Sequence, residues 1–128
     1  MNRAIQLDSM REAIVGLLFQ CAISKYGQVV HIVRDKGWQV KRTLIPEFRS
    51  IAEQLGLWIE SEYNASLWTY KINNWIFRFR ALDSQSGVDC LRSLRGDITV
   101  LQTNELKNDI FDVLQLRTDD MMIHIKES

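Results

Sequence analysis

The stretch of residues 98–118 constrains the fold of this chain more than any other part of the sequence. Residues 98–101 are β-branched and aliphatic, the composition of a buried strand, and an apolar face with helical spacing follows at 110–116. In α/β domains, ligands bind beyond the carboxyl ends of such strands. We therefore expect a site in the polar residues between strand and helix, with a plain solvated loop as the alternative. These residues are Gln102, Thr103, Asn104 and Glu105.

The remaining patterns predict a single α/β domain that covers residues 1–128. Residues 28–34 are almost continuously apolar, as in a strand covered on both faces, and this favours a parallel sheet with helices on both of its faces. One helix is predicted from a cap at Asp8 or Ser9 to Gly27, and a second helix over 43–55. Further strands are predicted at 4–7, 57–62 and 121–125.

A β-hairpin is predicted around Asn73 and Asn74. These two residues tolerate positive φ, and they separate two alternating runs at 66–72 and 75–82. The hairpin is predicted to be an insert at one side of the mostly parallel sheet.

Charge and cysteine content exclude several classes of protein. The chain has 16 Lys and Arg against 16 Asp and Glu, so its formal net charge of zero gives no global attraction to nucleic acid or to a membrane. Cys21 and Cys90 lack Cys-x-x-Cys spacing, which argues against a disulfide scaffold or a zinc site and suits a reducing compartment. No apolar run approaches the length of a membrane span, and the N-terminus lacks the apolar core of a signal peptide. A cytoplasmic location without a membrane partner is therefore expected.

Any anion-binding surface must be local, and two clusters of cations qualify. Residues 35–42 are predicted to be a polar loop at a strand end that also carries Trp38. The cations of this loop are Lys36, Lys41 and Arg42. In the second strand of the hairpin, Arg78 and Arg80 share one face. Each cluster is either a solvated surface or a contact to phosphate. His31, inside an apolar strand, is predicted to be packed rather than to bind a ligand.

The order of these segments resembles the N-terminal ATPase domain of the large terminase subunit, the DNA-packaging motor of tailed bacteriophages. Residues 28–36 (Gln-Val-Val-His-Ile-Val-Arg-Asp-Lys) are similar to the family's second strand, and 44–57 (Leu-Ile-Pro-Glu-Phe-Arg-Ser-Ile-Ala-Glu-Gln-Leu-Gly-Leu) to the helix after it. Residues 69–83 (Thr-Tyr-Lys-Ile-Asn-Asn-Trp-Ile-Phe-Arg-Phe-Arg-Ala-Leu-Asp) resemble its hairpin. Leu-Arg-Ser-Leu-Arg-Gly-Asp resembles the approach to the Walker B strand, and Asn-Glu-Leu with Gln-Leu-Arg-Thr resembles the run after that strand.

The resemblance implies a P-loop-NTPase-like fold, truncated before the rest of the ATPase and the family's nuclease domain. It also implies ATP and Mg²⁺ as cofactors if activity is retained. The partners would be double-stranded DNA, the portal protein and the small terminase subunit, in a bacterial cell that carries the phage or prophage. Nucleotide contacts would fall on Ser9, Arg11 and Arg34. DNA contacts would fall on Lys36, Lys41, Arg42, Arg78 and Arg80.

Both nucleotide motifs depart from the family's pattern. A P-loop needs glycines whose N–H groups wrap a phosphate and a lysine that reaches the outer phosphates, and residues 4–11 contain neither. Arg11 falls close to where the family has Ser or Thr. Gln102 falls at the position of the catalytic glutamate, and a shifted register offers Glu105 as the base instead. Because a glutamine cannot take a proton from water, weak or no ATP hydrolysis is expected, as in a pseudoenzyme.

Three functions remain open on the sequence. The first is a non-catalytic relative of the packaging ATPase that keeps protein or DNA contacts. The second is an active NTPase segment, one half of a split subunit, in which Arg11 and Arg34 would bind phosphate and Glu105 would be the base. The third is a small interaction module unrelated to packaging, for which exposed tryptophans would be the anchors. The candidate tryptophans are Trp38, Trp58 and Trp68.

Overall fold

A computed structural model describes residues 3–83, 96–103 and 118–126 of the chain. Within these residues, seven strands form one sheet in the order β1-β7-β6-β2-β5-β4-β3. The strands are β1 (Arg3–Leu7), β2 (Val29–Arg34), β3 (Tyr63–Asn64), β4 (Thr69–Ile72), β5 (Trp75–Ala81), β6 (Gly96–Thr103) and β7 (Thr118–Lys126). The pairs from β1 across to β5 are parallel, and β4 and β3 continue the sheet antiparallel. The predicted α/β class with a mostly parallel sheet is confirmed.

The helical segments lie between these strands. They are α1 (Met10–Ile23), α2 (Gly37–Gln39), a π-helical turn (Val40–Leu44), α3 (Ile45–Gln54) and a 3₁₀ turn (Glu60–Glu62). Because α2, the π-helical turn and α3 follow one another directly, the chain is helical from 37 to 54. The prediction of a polar loop over 35–42 is therefore wrong. The helix begins this early because the carboxylate of Asp83, distant in sequence, accepts the N–H of Gly37 at 3.1 Å.

One face of the sheet and the two longer helices form the main core. Ile32 of β2 and Phe77 of β5 point to this face, where α1 and α3 cover them. The opposite face buries a smaller cluster around Val33 and Leu101. The helix predicted after β6 lies outside the described residues, so helices on the second face stay a prediction. No helix within residues 3–83, 96–103 and 118–126 is long and apolar enough to cross a membrane.

The strand predicted over 57–62 is wrong, and a side chain from the sheet explains why. The hydroxyl of Tyr70 donates to the carbonyl of Leu57 at 2.7 Å and accepts the N–H of Ile59 at 2.8 Å. A strand would need these two backbone groups for its ladder. The segment instead crosses the end of α3 and closes in the 3₁₀ turn.

The predicted hairpin is confirmed, and it explains the role of Gly27, which was predicted to end α1. Asn73 and Asn74 join β4 to β5 with φ of 51° and 67°, as a primed turn requires. Gly27 does not end α1, which stops at Ile23. A Cβ at Gly27 would lie 2.5 Å from the carbonyl oxygen of Asn74, so glycine is needed there for the close approach of the hairpin turn.

Candidate functional site

The carboxyl ends of β2 and β6 form the topological switch point of the sheet. From β2 the chain continues to β3, β4 and β5 on one side, and from β6 it continues to β7 on the other side. Connections that leave neighbouring parallel strands in opposite directions open a crevice between the strand ends, and this is where ligands bind in α/β sheets. The polar residues predicted to form a site begin at Gln102, at the end of β6, so the predicted site lies at the switch point.

Polar side chains lie at the ends of these two strands. The hydroxyl of Thr103, at the end of β6, donates to a carboxylate oxygen of Asp35, directly after β2. The side-chain amide oxygen of Gln102 is buried and has no hydrogen-bond partner within the described residues. Arg34, the last residue of β2, is also buried. Asn104 and Glu105 lie outside the described residues.

The N-terminus of α2 also lies at the switch point, but two of the N–H groups there are already bound by side chains. Asp83, which follows β5, accepts the N–H of Gly37 through both carboxylate oxygens, at 3.1 and 3.2 Å. The N–H of Lys36 donates to the side chain of Gln39 at 3.0 Å. A helix N-terminus attracts anions because these groups are otherwise free, and here a carboxylate of the chain itself takes that place. Asp83 is not among the predicted site residues, and its one signal in the sequence is an acidic residue directly after a strand.

The junction of β1 and α1 lies on the same edge of the sheet. Leu7 and Gln102 both pair with Ile125 of β7, so the junction and the end of β6 are level and one strand apart. Because neighbouring strands lie about 4.8 Å apart and β7 lies between them, the ends of β1 and β6 are about 10 Å apart. Asp8 and Ser9 alone separate β1 from α1, and the Ser9 hydroxyl accepts a backbone N–H of the first turn of α1 at 3.4 Å.

The structure thus brings two predicted nucleotide-binding residues and the predicted catalytic-position residue Gln102 to one sheet edge, and it leaves Arg11 outside it. Ser9, Arg34 and Gln102 lie at the carboxyl ends of parallel strands or directly after them. The Arg11 guanidinium instead donates to the side-chain oxygen of Gln54, on α3, at 3.5 Å. Within the described residues, no group of three or more His, Cys, Asp or Glu side chains is placed to hold a metal ion.

The predicted cations near 35–42 form an exposed surface on the helix. Lys36, Lys41 and Arg42 are exposed, and 60% of the surface of Trp38 is accessible. Trp38, Lys41 and Arg42 are three and four positions apart, so they share one side of the helix. The four residues are called the cationic patch below. Part of the patch lies on the π-helical turn, a rare geometry that is frequent at functional sites.

Arg78 and Arg80 share a face of β5 as predicted, but their environments differ. The Arg80 guanidinium donates to the carbonyls of Leu67 at 3.0 Å and Phe79 at 2.8 Å. Arg80 therefore stabilises the turn before β4, in which Trp68 has a positive φ of 51°. The Arg78 side chain is partly exposed on the same face of the strand.

His31 is packed, as predicted, on the sheet face opposite α1 and α3. It is buried in the middle of β2, and its ring lies over Gly96 at the start of β6. Beside it, the hydroxyls of Thr99 and Thr118 are 2.7 Å apart and hydrogen-bonded, which ties β6 to β7 on this face.

Cys21 is the buried thiol of α1. Its Sγ contacts the carbonyl of Ile72 at 3.6 Å, and its own carbonyl accepts the side-chain amide of Asn73. Burial raises the pKa of the Cys21 thiol to about 11 from its ordinary value of 9.0. The thiol is therefore protonated at neutral pH, which makes it a poor nucleophile.

Raising the pH from about 8 to about 10.5 is expected to lower the free energy of unfolding. The unfolded chain ionises Cys21 above about pH 9, whereas the folded chain keeps its proton up to about pH 11, so stability is present at lower pH and lost across this window. Urea denaturation of a Cys90→Ser variant measures the effect. The pH dependence should be shallower after a further Cys21→Ala change, and an equal dependence would contradict the assignment. Burial also raises the pKa of Tyr70 in both variants, and the smaller increase caused by the charge of Cys21 is lost together with that residue.

The fold defines an open α/β-sheet domain with polar residues at its topological switch point. Comparison with models of known protein families and with curated proteins found no match for the chain.

Proposed function

We propose that this chain is a non-catalytic relative of the terminase ATPase core, of phage or prophage origin, that contacts double-stranded DNA through the cationic patch. The observation that carries the proposal is that the chain's own groups occupy the places where phosphate would bind. Ser9 caps α1 after a junction of two residues, and Asp83 caps α2. A phosphate-wrapping loop needs free N–H groups in a longer, glycine-rich connection.

The position of Gln102 supports the loss of hydrolysis. It lies at the carboxyl end of β6, level with the β1–α1 junction, which is the geometry expected of the family's catalytic glutamate. An amide in this place can orient a water molecule but cannot accept its proton. Removal of one positioned general base typically costs about 10²- to 10⁴-fold in rate. An active split subunit has less support, because Arg11 is directed to α3 rather than to the crevice.

The cationic patch supports the DNA contact. In a chain with zero net charge, it places three exposed cations beside an exposed indole on one helical segment. Such a cluster binds phosphates by counterion release without reading sequence. A protein-interaction module is the second candidate, because exposed tryptophans also anchor interfaces. Two of its predicted anchors have less support: Trp58 stacks on Tyr70 with ring centroids 4.5 Å apart, and Trp68 is partly buried.

The catalytic part of the proposal is tested with nucleotide. We expect no rise in melting temperature with millimolar ATP and Mg²⁺, and no release of phosphate from radiolabelled ATP. Turnover that disappears in a Glu105→Ala variant would overturn the non-catalytic assignment and favour the split subunit.

The DNA part is tested by fluorescence anisotropy with a labelled duplex at several salt concentrations. A variant with Lys36, Lys41 and Arg42 all replaced by glutamine is expected to bind at least tenfold more weakly at low salt. The slope of log affinity against log salt should also fall by roughly 0.9 for each phosphate that the variant no longer neutralises. Lys71→Gln, an exposed lysine on β4, is the matched control and should bind like the unmodified chain.

Two outcomes would contradict the DNA contact. Equal binding by the triple variant and the control would place the contact elsewhere. Absence of DNA binding together with copurification of the chain with a portal protein or small terminase subunit would favour a protein-binding role for the same patch.

A further inference from the structure

The outer face of α1 is apolar and has no partner within the described residues. From residue 13 to residue 24 the sequence contains no charged side chain. The inner side of the helix is buried in the main core. On the outer side, 56% of Phe19 and 82% of Ile23 are accessible, and 79% of Tyr26, three residues after the helix end, is accessible. Gln20 is the one exposed polar residue between Glu12 and the end of α1. A cluster of exposed apolar side chains on one side of a helix is suited to an interface.

We infer that this face binds the same face of a second copy of the chain, with the two α1 helices antiparallel and a twofold axis near Phe19. The reason is that the face is symmetric about this residue. Four positions to either side lie Val15 and Ile23, both β-branched, and three positions to either side lie Gly16 and Ala22, both small. Antiparallel pairing places each residue opposite its counterpart in size.

Space and charge also fit a second copy. A Cβ at Gly16 would meet nothing within 4 Å, so the groove beside Phe19 is open. Exposed Glu12 lies near the start of α1 and exposed Lys25 just after its end. In an antiparallel pair these opposite charges approach each other at both ends, and the helix dipoles are opposed. Arg11, the other exposed charge at the start of α1, is directed to Gln54 of α3. The uncharged centre gives no like-charge repulsion between copies.

The size of the face predicts a weak dimer. A fully exposed aromatic side chain removes about 150–250 Å² from water when it is buried. Because 56% of Phe19 and 79% of Tyr26 are accessible, these side chains from both copies account for about 400–700 Å². Ile23 adds to this area, whereas Val15 adds little because it already packs against the core, so the total stays below the roughly 1,200 Å² at which standard specific interfaces begin. Dimerisation should therefore depend on concentration in the range used for sedimentation.

Sedimentation equilibrium of the unmodified chain is expected to show a reversible monomer–dimer equilibrium. Phe19→Glu places two carboxylates near the axis and should leave only monomer. Leu67→Glu changes another exposed apolar residue, 62% accessible, and should sediment like the unmodified chain. Circular dichroism checks that all three are folded. A chain that stays monomeric at its highest soluble concentration, or a Phe19→Glu variant that still dimerises, would overturn the inference.

Cysteine cross-linking in a Cys90→Ser background tests the orientation. Phe19→Cys lies near the axis and should form a disulfide with its own copy. Glu12→Cys alone should not, but a mixture of Glu12→Cys with Tyr26→Cys should cross-link. Self-cross-linking of Glu12→Cys as efficient as that of Phe19→Cys would show a parallel pair and overturn the antiparallel one. DNA binding is not needed for either readout, so the dimer and the proposed function fail independently.

Discussion

Replacing Phe48 with alanine is expected to lower the free energy of unfolding by about 3–5 kcal/mol. Phe48 lies on α3 and is almost completely buried. Its ring centroid is 5.0 Å from that of Phe77, 5.1 Å from that of Phe79 and 5.7 Å from that of Tyr70. No neighbouring side chain can fill the space of a ring held between three others, so the variant loses both the apolar burial and the aromatic packing.

Urea denaturation followed by circular dichroism measures this effect. Phe48→Leu keeps most of the apolar volume and should cost clearly less than Phe48→Ala. Leu67→Ala, at an exposed position, should change the free energy of unfolding by no more than about 0.5 kcal/mol. A Phe48→Ala effect as small as that of Leu67→Ala would mean that α3 is not anchored on the sheet through this ring. The same ring holds the helical segment whose first turns carry the cationic patch.

The parts of the fold that depend on neighbouring residues could be predicted from the sequence. The alternating side-chain patterns at 66–72 and 75–82 and the pair Asn73-Asn74 are enough to predict the hairpin, because a primed turn is determined by the two residues that form it. The nearly continuous apolar run of β2 likewise predicted a strand buried in a parallel sheet. Both signals are local, so no tertiary contact was needed to interpret them.

The wrong predictions concern residues whose structure depends on contacts between distant segments. The helix start at Gly37 requires Asp83, 46 residues away, and the irregular path after α3 requires the hydroxyl of Tyr70. Gly27 is adjacent in space to a turn that the sequence places far from it. Nothing in the local pattern distinguishes these residues from ordinary loop, strand and helix-end residues.

The candidate site shows the same division. Parallel strands bring their carboxyl ends to one edge, so the sequence could predict that Arg34 and Gln102 lie together. It could not predict that Asp35 would bind Thr103 there, nor that Asp83 would cap α2 and take the place of an anion. Side chains that follow other strands determine which polar groups at the strand ends remain available to a ligand.

Replacing Gly96 with alanine is expected to destabilise the chain by about 1–3 kcal/mol, although a single methyl group is added. The new Cβ would clash with Cδ2 of His31 and lie 2.9 Å from its Nε2, closer than such atoms approach. The imidazole is buried, so it cannot move into solvent without disturbing its surroundings. Either the ring or the start of β6 must shift, and both lie in the centre of the sheet.

A double-mutant cycle identifies the cause of this destabilisation. His31→Ala removes the ring and has a cost of its own, but it opens the space that the methyl group needs. The Gly96→Ala, His31→Ala pair should therefore be less destabilised than the sum of the single variants, with a coupling of about 0.5–3 kcal/mol measured by urea denaturation. Additive costs would mean that the glycine is required by the backbone of β6 rather than by His31. The coupling would also show that the close packing of the His31 ring over Gly96 supports the pairing of β2 with β6, whose carboxyl ends form the switch point.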